Sequence, residues 1–153
     1  NTSGHFLTRA RERLSETGKV VGRVAPKGSI LVTCIAGTPA CIGNSAIADR
    51  DVAFNQQINA VVPRKCFDPH FLYVHFLVGK SLVQEASTGG MKGMVSKSRF
   101  EEVEFMSPPF EQQRLFGEVF LRIHELRTTH ETSLTHLDAL FASLQHRAFR
   151  GEL

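Results

Sequence analysis

Ser107-Pro108-Pro109-Phe110-Glu111-Gln112-Gln113 divides this 153-residue chain into two unlike parts. Prolines fit the first turn of a helix, where their missing N–H groups would have no partner, so the stretch predicts a helix starting close to Pro108. Glu111 then falls at the positive end of the helix dipole. From Gln112 to Arg147 there is no Pro and one Gly. A helix from Glu111 to Arg147 spans ~55 Å at ~1.5 Å per residue, longer than a domain of this size covers with its own core, so it needs a partner.

The apolar spacing describes that partner. Phe116, Val119, Ile123, Leu126, Leu137, Leu140 and Leu144 recur at alternating steps of three and four, the seam of a left-handed coiled coil, with His130 and Ser133 in its middle. Leu134, Phe141 and Ala148 add a second row, which predicts that the C-terminal half meets more than one element. The competing reading, a helix laid along its own domain, is opposed by the length.

Hydrophobic residues make up 42% of the chain, an ordinary globular composition, and no apolar run approaches the ~20 residues of a membrane span. Asn1-Thr2-Ser3-Gly4-His5 has neither the apolar core of a signal peptide nor an initiating Met, so the sequence is expected to start in mid-protein. Cys34, Cys41 and Cys66 have no CxxC spacing and fall in apolar runs. They are expected to be buried, reduced thiols of a cytoplasmic protein rather than disulfides or zinc ligands.

Charge is unevenly shared. Residues 1–100 carry 13 Lys and Arg against 6 Asp and Glu, a balance of +7, whereas residues 101–153 carry 5 against 9, a balance of −4. A basic globular part on an acidic helix suits a nucleic-acid reader with a protein-binding handle, although solvated surface charge alone gives the same count.

Within the basic part, Arg9 to Arg13 reads as a helix or loop, Lys19 to Val24 as a strand, and Pro26-Lys27-Gly28 as a turn. Ser29 to Ala36 reads as a β-branched strand, broken by Gly37-Thr38-Pro39 and returning from Ala40 to Ala48. After the polar turn Asp49-Arg50-Asp51, the strand-like run Val52 to Val62 is interrupted by Asn55, Gln56 and Gln57 and ended by Pro63. Asp68 caps a helix from Pro69 to about Ser81. A glycine-dense loop, Ser87 to Met94, precedes a strand from Phe100 to Met106.

Phe54-Asn55-Gln56-Gln57-Ile58, the glycine loop leading into Val95-Ser96-Lys97, the Pro108 to Gln113 helix start, and the ending Leu144 to Leu153 together resemble the specificity subunit of type I restriction-modification systems. The resemblance covers nearly the whole chain in order; Gln112 stands where the family usually has Glu. It implies an α/β (α+β) fold: a curved, mainly antiparallel-sheet target recognition domain in residues 1–107, its opening part missing before Asn1, then a long coiled-coil-type helix and tail in residues 108–153. It further implies double-stranded DNA as ligand, methyltransferase and restriction subunits as partners, and no catalytic site or cofactor on this chain; the apolar seam itself, where no other helix is at hand to cover it, suggests a homodimer through the helix.

The sequence agrees, lacking GxGxxG after a strand, GxxxxGK[ST], HExxH and a nuclease acidic pair. His124, His130, His136 and His146 make no i, i+4 pair for a metal. Lys and Arg would hold phosphates, while Asn, Gln, Arg, Thr and Lys read base edges, which selects Lys27, Thr38, Asn44, Arg50, Lys92, Lys97 and Arg99. Gly89, Gly90 and Gly93 would let backbone approach a phosphate beside Lys92, unless the segment is simply a surface loop. Asn55, Gln56 and Gln57 are expected to satisfy backbone groups at a strand kink, since a family-wide motif cannot explain differing targets. Two other functions compete with DNA reading: a self-associating helical scaffold that does not bind DNA alone, and, with little support, an enzyme using Cys34 or Cys66 with His75.

Overall fold

A computed structural model describes residues 4–7, 13–88 and 93–152, in two compact units, residues 1–117 and 118–153. In the first, β1 (Phe6–Leu7), β5 (Ser45–Ala48), β3 (Ile30–Thr33) and β7 (Ile58–Val61) form one sheet in that order. Only β1 and β5 are parallel; β3 pairs antiparallel with both β5 and β7. Two smaller antiparallel ribbons join β2 (Arg23–Ala25) to β6 (Val52–Phe54) and β4 (Ile35–Ala36) to β8 (Gly93–Met94). The expected mainly antiparallel sheet is therefore present.

The core lies around β3. Ile30, Leu31 and Val32 are all buried, so this strand is covered on both faces, and the unbroken β-branched run in the sequence is its signature. Helix α2 (Pro69–Val78) packs on β3 and β5 and buries Tyr73 and Phe76. Asp68 caps it as expected, its Oδ1 accepting from the backbone N–H groups of His70 and Phe71 at 3.0 and 2.9 Å. The helix stops at Gly79 and a second one, α3 (Lys80–Glu85), follows.

Four expectations are corrected. Lys19 to Val21 is not strand but the end of α1 (Glu16–Val21); the Ser15 hydroxyl accepts from the Gly18 N–H, and Val20 and Val21 are left 87 and 88% exposed. A local cap outweighs β propensity, and the strand shrinks to Arg23–Ala25. Phe100 to Met106 is not strand either. Ser96 caps α4 (Lys97–Glu101), and Phe100 and Phe105 anchor the irregular chain beyond it by packing on Phe76, with centroids 5.7 and 4.8 Å away. Of the cysteines only Cys34 is buried; Cys41 and Cys66 are exposed because they fall in a 3₁₀ turn and a loop. The strand expected from Ala40 starts only at Ser45, after that turn. Of the stretch read as a helix or loop from Arg9 to Arg13, residues 9–12 lie outside the described residues.

The long helix is real: α5 runs unbroken from Phe110 to Phe149, 40 residues, with Glu111 in its first turn. Its first two turns belong to the first unit. Gln113 is 1% exposed; its Oε1 accepts from the Asp68 N–H at 3.2 Å and its Nε2 donates to the Pro108 carbonyl at 2.8 Å. At Gly117 a Cβ would overlap Asp68 Oδ1, so only glycine lets the cap of α2 sit against α5. The second unit is the rest of α5, on which Val119, Ile123, Leu126, Leu137, Leu140 and Leu144 are 40–61% exposed.

Gln113→Ala should destabilise the first unit by about 1–3 kcal/mol in urea unfolding, because it leaves the Asp68 N–H and Pro108 carbonyl unpaired in a buried place. Gly117→Ala should cost at least as much by displacing Asp68. Wild-type stability in both variants would show that the two helix starts are held by something else.

Candidate nucleic-acid interface

Hydrogen bonds hold the loops that carry the predicted residues of the first 50 positions. Lys27 is an exposed turn residue whose N–H donates to Asp51 Oδ1 at 3.1 Å, so the loop before β3 and the loop after β5 are tied together. Arg50, in the second loop, pairs with Asp49 at 2.8 Å and reaches the Leu7 carbonyl. Thr38 starts the 3₁₀ turn Pro39–Cys41, and the Cys41 carbonyl accepts from the Asn44 N–H at 3.2 Å. Asn44 and Arg50 both line one open recess of about 790 Å³, which also takes in Lys80, Ser45, Asn55 and Tyr73. No acidic side chain lines it among the described residues.

Lys80 is not among the residues the sequence selects. Its Nζ lies 2.6 Å from Asn44 Oδ1, across 36 positions of sequence. The signal available is a Lys directly after the helix-breaking Gly79, which says nothing about the loop it faces.

Lys97 and Arg99 sit elsewhere, on α4. Lys97 faces Glu101 at 3.6 Å, and Arg99 lines a hollow with Glu102 and Glu104, so acidic neighbours reduce the positive field there. Gly89, Gly90 and Lys92 lie outside the described residues; Gly93 is seen, buried in β8 opposite Ala36. In the Phe54 to Ile58 motif, Asn55 Oδ1 accepts from the Gln57 N–H, and the Gln57 carbonyl accepts from Cys34 and Ile35. These residues close the turn between β6 and β7 and hold the break between β3 and β4.

Burial governs the titratable groups of this unit. It pushes the Cys34 thiol up to about 11, so that sulfur stays protonated and is no nucleophile. Burial raises Tyr73, whose hydroxyl meets His5 at 3.0 Å, and lowers His75, which packs edge-on against Phe71 and Phe105. His70 is lowered by burial, against the opposing pull of the Asp68 carboxylate. Among the described residues no three His, Cys, Asp or Glu side chains gather as metal ligands.

The described residues thus form a basic, mainly antiparallel domain followed by a long helix with an exposed apolar row. Residues 6–137 match the type I restriction modification DNA specificity domain, and the chain belongs to that family. It is 26% identical to the type I restriction enzyme HindI specificity subunit of Haemophilus influenzae, over 97% of this chain and 32% of that protein. The HsdS subunit of Thermoanaerobacter tengcongensis has the same fold, with a TM-score of 0.54 at 21% identity over 85% of this chain and 31% of that one. So does a chain from a structure on complex assembly and conformational transition of the type I R-M system, with a TM-score of 0.56 at 19% identity over 86% and 33%. The chain thus spans about a third of the length of these relatives.

Thiol labelling of the native protein near pH 8 should modify Cys41 and Cys66 but leave Cys34 untouched until denaturant is added. Rapid labelling of Cys34 in the folded chain would contradict its protonated, buried state.

Proposed function

We propose that this chain is a DNA sequence-recognition part of a type I restriction-modification complex, with its recognition domain in residues 1–107 and its docking helix and tail in residues 108–153. The observation that carries this reading is the match across residues 6–137, which takes in both the basic domain and most of the helix. The domain reads one half of a bipartite duplex target; the helix docks methyltransferase and restriction subunits, which hold the chemistry. The chain itself is no enzyme and works in the cytoplasm. The exposed Lys27 and Arg50 support phosphate contacts, as do Lys97 and Arg99, more weakly because of their acidic neighbours. No helix of the described residues is long and apolar enough to cross a membrane.

Duplex binding should weaken with salt, each neutralised phosphate adding roughly 0.9 to the logarithmic slope. Replacing Lys92, Lys97 and Arg99 together with Ala should lower affinity and flatten that slope. Unaltered binding at low and moderate salt would remove those three side chains from the interface.

The exposed row on α5 supports helix pairing. Each Leu or Ile buried is worth ~1.5–3 kcal/mol, so the chain alone should pair with a second copy, antiparallel and two-fold symmetric. Ile123→Asp with Leu137→Asp should dissociate the pair and weaken methyltransferase docking. Sedimentation of the wild-type chain as a strict monomer at tens of micromolar would exclude self-pairing.

A further inference from the structure

The Lys80 ammonium can only donate, so the Asn44 atom 2.6 Å from it must be the amide oxygen, which fixes the orientation of that side chain. Asn44 is thereby left with its two amide hydrogens facing outward, and Lys80 with its remaining ammonium hydrogens. Side by side they form an array of donors with no acceptor. The backbone around the pair is held in place. The Asn44 carbonyl accepts from the Thr33 N–H at 2.8 Å at the end of β3, and Gln84 of α3 donates to the Ile42 carbonyl at 3.2 Å. Gly43, at φ +79°, has no Cβ where one would come within 2.9 Å of the Lys80 chain, so the lysine stem lies directly over the loop. Beside the pair, the Ser45 hydroxyl has no hydrogen-bond partner among the described residues.

Resting on the DNA-reading function above, we propose that Asn44 and Lys80 together recognise a guanine, through the O6 and N7 acceptors of its major-groove edge. Unhindered Asn characteristically reads adenine, accepting from N6 and donating to N7; with the Lys80 ammonium already on one lone pair of Oδ1, an adenine N6 amino group approaching that oxygen would meet the ammonium hydrogens, whereas two acceptors fit the donors of the pair. A phosphate also offers only acceptors. A phosphate contact, however, needs only charge, whereas here a neutral amide donor is set beside the ammonium, and charge alone carries no sequence information.

The test is selection of the full chain on randomised duplexes, comparing wild type with Lys80→Ala and Asn44→Ala. The wild type should select a half-site containing a required G·C pair. Lys80→Ala should lower discrimination at that position about tenfold or more, shift it toward adenine as Asn44 Oδ1 is released, and leave other positions unchanged. Replacing that guanine with 7-deazaguanine should weaken wild-type binding and leave Asn44→Ala unaffected. Uniformly weaker binding of Lys80→Ala, with base preferences intact, would make the pair a phosphate contact and overturn the proposal alone. A wild-type chain that selects no sequence at all would overturn the DNA-reading function, and the proposal with it.

Discussion

A single buried amide ties the domain to its helix. Gln113 joins the N–H of Asp68 to the carbonyl of Pro108, so the start of α2 and the start of α5 are fastened at one point. Asp68 works on both sides of that junction: its N–H takes the glutamine oxygen while its carboxylate caps α2, and the same carboxylate occupies the space where residue 117 would carry a Cβ. A buried amide with both ends satisfied is stabilising only while the geometry holds, since an orphaned polar group there costs more than the bond contributes. Because α2 in turn packs on β3 and β5, the constraint passes from the helix start to the centre of the sheet.

How far the sequence reveals this depends on the range of the interaction. The helix start at Pro108, the Asp68 cap and the β-branched strand Ile30–Thr33 follow from rules that act over one turn or one strand, and all three are present. Departures arise where two local rules compete. At Lys19 to Val21, β-branched composition favours strand while Ser15 offers a helix cap, and the cap prevails because Val20 and Val21 have no core to enter. At Phe100 to Phe105, apolar residues spaced as in a strand prove to be separate anchors on Phe76.

Long-range polar contacts are illegible for a different reason. Asn44 looks like a base reader from its residue type alone, but its hydrogen-bonding character is set by Lys80, which reaches it only because the Gly79 break and the positive φ of Gly43 bring α3 over that loop. Neither glycine marks its partner in the sequence. Gln113 is similar: in a helix that reads as exposed, a glutamine at 1% exposure has no periodic signature.

The second unit is governed by composition in another way. Thr128, Thr129, Thr132 and Thr135 each turn a hydroxyl back onto the carbonyl four residues earlier, at 2.9–3.0 Å. Such bonds satisfy the side chains but add little to the helix, and β-branched residues lower its propensity. The Arg127–Glu131 pair at 2.8 Å returns only about 0.3–0.5 kcal/mol. His130 and Ser133 interrupt the apolar row in the same segment, so its middle has the weakest intrinsic helicity and the weakest seam together. Burial of Ile123 and Leu126 on one side of it and of Leu137 and Leu140 on the other would therefore strengthen this helix where its own propensity contributes least.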